Sequence, residues 1–126
     1  MEQTNYQYYS YTEDTTHDKN RNRKRINVML GEVADDELTE LFSSVYTLVK
    51  PLPIKLSYDD DDDCYVVVQE ILNLAGEAPT LVDAEKELAT EVVRIYEKLS
   101  NINTKNPDSL GPYPRAWLSY LQEYII

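Results

Sequence analysis

The chain has few of the residues that most enzyme sites need. Its 126 residues include one cysteine (Cys64), one histidine (His17) and three glycines. A Cys–His nucleophilic pair would require His17, in the polar N-terminal region, to lie beside Cys64, and nothing in the sequence indicates this. Glycine-rich phosphate loops and zinc-ligand spacings are absent from the sequence. We therefore predict a protein without catalytic activity, cofactor or metal.

Long apolar runs are also missing from the sequence. No stretch approaches the roughly 20 residues that a membrane-spanning helix needs, and the N-terminus lacks the layout of a signal peptide. A single cysteine excludes an internal disulfide bond, which is typical of a reducing compartment. These features predict a cytoplasmic protein that does not contact membranes.

Negative charge dominates the composition. Asp and Glu number 23 against 12 Lys and Arg, a formal net charge of −11, so the chain should repel nucleic acid and attract a basic protein partner. Five of the 12 basic residues lie within 19–25. Of these, Arg21, Arg23, Lys24 and Arg25 are the candidates for contact with DNA or RNA phosphates. A solvated arm, or a clamp onto the protein's own acidic body, is the alternative interpretation of this run.

Tyrosine is the main aromatic residue, with 11 Tyr against one Phe. A tyrosine side chain packs like an apolar group and keeps a polar tip, which makes it frequent in protein interfaces. Several tyrosines lie in the polar stretch 1–20, where they cannot all be core. The sequence predicts a flexible, Tyr-rich and basic tail over 1–24 and a single domain over 25–126. Exposed tyrosines also make a homodimer plausible.

Residue patterns predict an α+β fold. We expect a small antiparallel sheet with helices packed mainly on one face. The predicted strands are 25–30, 54–58, 64–69 and one that closes near Gly76. Predicted helices cover 35–49 and 80–99, the second capped by Thr80, with its apolar stripe inward and Glu85 among the residues facing solvent. Residues 100–114 are predicted as a loop, and Pro114 as the start of a final helix that packs on its own domain.

Five consecutive aspartates connect the strands 54–58 and 64–69. These are Asp59, Asp60, Asp61, Asp62 and Asp63. Their carboxylates are calcium-type ligands, but the EF-hand pattern is not met, because its glycine and its final glutamate are absent. A solvated acidic turn is the plain alternative. We favour a surface that attracts a basic partner and raises the rate of association. Its candidate partner-binding residues are the five aspartates together with Tyr58 and Tyr65, since exposed tyrosines would supply anchors at the centre of the patch.

Residues 54–99 resemble the core of HicB-like antitoxins. The resemblance is carried by a strand, an acidic turn, a valine-rich strand that begins with an aromatic residue, a strand with glycine, and a threonine-capped helix. The matching residues are Tyr58, Asp61, Asp62, Tyr65, Val66, Val67, Leu74, Gly76, Thr80, Ala84, Leu88 and Tyr96. It implies a partial ribonuclease-H-like fold without a working active site, and a role in masking a small, usually RNA-cleaving toxin. The C-terminal segment does not match the family's DNA-binding segment.

The resemblance implies an antitoxin-like role, and the net charge and the tyrosine content agree with it. We therefore expect a non-catalytic inhibitor that neutralises a small basic toxin through an acidic surface. Two other classes remain open at this point. One is an acidic mimic of nucleic acid that inhibits a host or phage-defence nuclease. The other is a calcium-binding protein that uses the aspartate run.

Overall fold

A computed structural model describes residues 33–126, which form a four-stranded sheet and two helices. This confirms the predicted α+β class. The predicted strand 25–30 and the tail over 1–24 lie outside the described residues. The elements are β1 (Ala34–Leu38), β2 (Leu52–Asp59), β3 (Cys64–Gln69), β4 (Leu74–Ala78), α1 (Leu81–Lys105), a 3₁₀ turn (Pro107–Ser109) and α2 (Pro112–Gln122).

The sheet is an antiparallel meander in the order β1-β2-β3-β4. The β2–β3 and β3–β4 hairpins have loops of the same length, each with a left-handed residue in its last position. These residues are Asp63, with φ 57°, and Asn73, with φ 56°. Asp and Asn tolerate this conformation better than most side chains. The local sequence therefore suits both turns, and it fixes the register of three consecutive strands.

One face of the sheet forms the core. In β2 the side chains of Leu52, Ile54, Leu56 and Tyr58 are all buried, as the period-2 spacing of a strand dictates. Helix α1 packs on this face, closest to β4 and next to β3. Gly76 permits the close approach, because an added Cβ would lie 2.3 Å from the carbonyl oxygen of Ala84.

Helix α1 begins at the predicted residue and is longer than predicted. The hydroxyl of Thr80 accepts a hydrogen bond from the amide of Asp83, at 3.2 Å. The helix continues to Lys105, through residues predicted as a loop. The predicted apolar stripe faces the sheet, but Glu85 is also buried, at 2% exposure. Its placement among solvent-facing residues was wrong, because it lies on the same helical face as Leu81 and Leu88.

Helix α2 packs against the domain itself, as predicted. It begins at Pro112 rather than Pro114, and it buries Leu118 and Leu121. After it, Ile125 is buried at 6% exposure and forms a β-bridge with Leu48. The end of the described chain is therefore tied to the loop that precedes β2.

The predicted helix over 35–49 is wrong. Residues Ala34–Leu38 form β1, the outer strand of the sheet among residues 33–126, and no helix follows before β2. Phe42 has a left-handed backbone, with φ 54°, which interrupts a right-handed helix. The apolar residues that suggested a helix do not share one buried face, since Leu41 is 3% exposed whereas Val45 is 69% exposed. Neither helix of the described chain is long and apolar enough to cross a membrane.

Candidate functional site

The acidic loop is the connection between β2 and β3, and it contains Asp60, Asp61, Asp62 and Asp63. Asp59 ends β2 opposite Cys64, which begins β3. The hairpin therefore presents its carboxylates at one end of the sheet.

Two of the five aspartates hold the hairpin together. Asp59 accepts hydrogen bonds at Oδ1 from the amides of Asp61, at 3.0 Å, and Asp62, at 3.4 Å. Asp63 accepts a hydrogen bond at Oδ1 from the hydroxyl of Tyr58, at 2.6 Å. These contacts give Asp59 and Asp63 structural roles, because each satisfies donors that the turn would otherwise leave to water.

The remaining three aspartates form the acidic tip. Asp61 and Asp62 are exposed, and Asp60 is half-buried, with its Oδ1 buried and without a hydrogen-bond partner. Three adjacent carboxylates on one short loop concentrate negative potential at this end of the sheet. Asp60, Asp61 and Asp62, which we call the acidic tip, are thus the aspartates of the run whose carboxylates take no part in the hydrogen bonds of the turn.

Tyr58 and Tyr65 lie beneath the loop rather than on its surface. Each is 7% exposed, and their rings meet edge to face, with centroids 5.1 Å apart. They support the hairpin from the core, and little of either ring is open to a partner. Among the tyrosines of 33–126, Tyr113 is the exposed one, at 75%.

Cys64 does not have the environment of a nucleophile. Burial raises the pKa of its thiol, and the carboxylates of Glu77 and Asp62 raise it further. Its Sγ donates a hydrogen bond to the carbonyl oxygen of Asp62, at 3.3 Å. Nucleophilic cysteines need the opposite shift, since the thiolate is the reactive form. His17 lies outside the described residues.

A calcium site is not supported by the geometry of the hairpin. In the part of the chain that the structure describes, no group of three or more His, Cys, Asp or Glu side chains could hold a metal ion. Asp59 and Asp63 are engaged in the turn. The carboxylates of the run therefore do not converge on one point.

A second acidic region lies at the opposite end of the sheet. It is a groove of about 570 Å³ between β1, β2, the start of the β3–β4 loop and Tyr120 of α2. Gln69 forms its buried wall and joins three segments. Its Nε2 donates to the carbonyl oxygen of Pro53, at 3.0 Å, and to the hydroxyl of Tyr120, at 3.2 Å. Its Oε1 accepts from the amide of Leu72, at 2.8 Å.

Sequence reasoning located the acidic loop and missed the groove. The groove depends on β1, which was predicted as helix, and on contacts between residues far apart in the chain, such as Gln69 and Tyr120. The candidate nucleic-acid-binding residues Arg21, Arg23, Lys24 and Arg25 lie outside the described residues. Compared with known proteins, the chain has no significant match to any protein-family model, curated protein or solved structure.

Proposed function

We propose that this protein is a non-catalytic, antitoxin-like inhibitor that binds a small basic toxin through its acidic tip. The single observation that carries the proposal is that the carboxylates of only two of the five aspartates accept hydrogen bonds within the turn. Asp59 and Asp63 are used to build the hairpin, and the three aspartates between them are left at its tip. A loop held in one conformation loses little entropy when it binds, so its charges can contribute fully to association.

The order of elements supports the same proposal. A HicB-like core implies three antiparallel strands followed by a capped helix. Strands β2, β3 and β4 and helix α1 follow in that order, with Gly76 at the closest approach of helix and sheet. The C-terminal segment does not match the DNA-binding segment of HicB-like antitoxins. This mismatch weakens the case for DNA binding more than the case for binding a protein partner.

Charge complementarity supplies the mechanism. If the toxin cleaves RNA, its active site must bind phosphates and therefore carries Lys or Arg side chains. The acidic tip can occupy such a site as a phosphate mimic and block access of RNA. The net charge of −11 also steers the two proteins together, an effect that falls as salt concentration rises.

The test is neutralisation of the acidic tip with Asp60→Asn, Asp61→Asn and Asp62→Asn together. Asparagine keeps the size of each side chain and removes three charges, so the association rate with the toxin should fall about tenfold or more. Its dependence on salt should also become flatter. The kinetics can be followed by surface plasmon resonance over a range of ionic strengths.

A matched control removes three charges elsewhere on the surface. Glu40→Gln, Asp108→Asn and Glu123→Gln change exposed carboxylates. Asp108 is far from the acidic tip. Helix α1 begins shortly after Ala78, which pairs with Tyr65 at the tip end of the sheet, and its 25 residues extend for about 37 Å before Asp108 is reached. This control should retain most of the rate and of its salt dependence. Equal association rates for the wild type and the tip variant would refute the proposal.

The acidic-mimic alternative uses the same tip. Three adjacent carboxylates at a hairpin tip also suit a protein that occupies the nucleic-acid channel of a host or phage-defence nuclease. This alternative differs in the partner, which would be a large effector rather than a small basic protein.

A further inference from the structure

The groove at the far end of the sheet is acidic and partly apolar. Its charged side chains are Asp35, Asp36, Glu37 and Glu70 against Lys55, and Ile71 and Tyr120 contribute nonpolar surface. Ile71 is 54% exposed. An occupant suited to this groove carries several positive charges and some apolar surface.

Part of the groove's negative charge is in no salt bridge among residues 33–126. Lys55 forms a salt bridge with Asp35. The hydrogen bond and the charge of Asp35 raise the pKa of the lysine, and burial acts in the opposite direction. Glu37 and Glu70 are exposed, and neither forms an ion pair within the described part of the chain. These two carboxylates are free to attract a cation that approaches along β1.

The chain's own basic segment, residues 19–25, is joined to β1 by a short stretch of chain. Seven residues separate Arg25 from Val33, a span of at most about 28 Å even when extended. Val33 leads directly into β1, whose Asp35 and Glu37 line the groove. A short tether of this kind gives an effective concentration in the millimolar range, so even weak ion pairs favour the attached segment over a separate molecule.

We propose that the groove is the docking site for the basic segment 19–25 of the same chain. The segment carries five of the chain's 12 positive charges, and the apolar residues after it, at 26 and 28–30, can reach the nonpolar wall. The acidic tip stays free in this arrangement. Its first residue, Asp60, follows the groove residue Ile54 by six residues along β2, or about 20 Å. The two acidic regions therefore serve different ligands, one within the chain and one outside it.

The experiment places a spin label in the segment of the full chain. Cys64→Ser removes the natural thiol and keeps a donor for the carbonyl of Asp62, and Asn22→Cys provides the attachment point. Paramagnetic broadening should be strongest at the amides of Asp35, Glu37 and Lys55. It should fall sharply when Glu37→Gln and Glu70→Gln are added. The control Glu40→Gln with Asp108→Asn makes the same change of charge and should leave the broadening in place.

Three outcomes would overturn the proposal. One is broadening centred on the acidic tip, and another is broadening that the groove variant does not change. The third comes from mixing spin-labelled chains with separate isotope-labelled chains. Broadening in that mixture would assign the segment to a second copy rather than to the same chain.

Trypsin cleavage gives an independent readout in the chain with its natural cysteine. The basic segment contains five cleavage sites, which docking should protect. Replacing Glu37 and Glu70 with glutamine should speed cleavage within 19–25 about fivefold, the effect expected from two exposed ion pairs. Equal cleavage rates in the wild type, the groove variant and the control would contradict docking.

Discussion

Gly76→Ala tests the close contact between β4 and α1. Gly76 lies in the middle of β4, opposite Val67 on the core face of the sheet. An alanine Cβ would lie 2.3 Å from the carbonyl oxygen of Ala84 and 2.6 Å from the amide nitrogen of Leu88. Both neighbours are backbone atoms of α1, so no change of side-chain rotamer relieves the overlap.

The size of the effect follows from these distances. Ordinary contacts of a Cβ atom are 3.4–4 Å, so α1 must move away from β4 by about 1 Å, which forfeits up to half of the dispersion energy of the affected contacts. Overpacking of this kind typically costs about 1–3 kcal/mol. Alanine also lowers the conformational entropy of the unfolded chain, which offsets less than about 1 kcal/mol of this cost. We expect a net loss of about 2 kcal/mol in the free energy of unfolding.

Urea denaturation followed by circular dichroism measures this loss. Gly111→Ala is the matched control, because its φ is −74° and the new Cβ would meet only Pro114, at 3.8 Å. The control should lose less than about 1 kcal/mol, through the modest preference for glycine at a helix N-cap. A Gly76→Ala variant as stable as the wild type would show that α1 does not pack as closely on β4 as described.

Three further predictions, made with four variants, concern the hairpins and the groove wall. Gln69→Leu should lower the free energy of unfolding by about 2 kcal/mol or more, since it leaves buried donors and acceptors without partners, and urea denaturation measures it. Asp63→Ala should be about 1–2 kcal/mol less stable than Asp63→Asn, because asparagine keeps both the tolerance for positive φ and an acceptor for the hydroxyl of Tyr58. Burial and the neighbouring Tyr124 raise the pKa of Tyr120 to about 12. The unfolded chain releases this proton near pH 10, so the stabilisation is complete below pH 10 and is lost as the pH rises toward 12. Unfolding measurements at pH 9 and 11 should show a smaller alkaline loss for Tyr120→Phe, and an unchanged loss would contradict the assignment.

Much of the sheet and α1 could be predicted from local signals. In β2 the apolar residues alternate, and Thr80 marks the start of α1 through its side-chain oxygen. The antiparallel order followed from the short connections between strands. Such signals lie within a few residues of each other and survive in almost any tertiary context.

Strand β1 could not be predicted in this way. Ala34, Asp36 and Leu38 are its inward positions. Because the buried Asp36 is acidic, the sequence does not show the alternation of apolar and polar residues that marks a strand. The next apolar residues happen to recur at helical spacing. Pairing with β2 decides the outcome, and that pairing is a tertiary contact.

The acidic loop was located correctly, but its internal roles were not predictable. Five identical residues give no hint of which carboxylates accept hydrogen bonds within the turn and which do not. The left-handed backbone of Asp63 and the position of Tyr58 make that distinction. In the same way, the excess of tyrosine suggested exposed anchors, whereas Tyr65 packs in the core.

The most direct test of the central claim is affinity capture from the native host with three forms of the tagged chain. These are the wild type, the acidic-tip variant with asparagine at 60–62, and the control with Glu40→Gln, Asp108→Asn and Glu123→Gln. The account predicts one small basic protein, recovered at equal stoichiometry with the wild type and the control and depleted with the tip variant. Recovery of the bait alone, or of a partner that the tip variant retains equally, would contradict it.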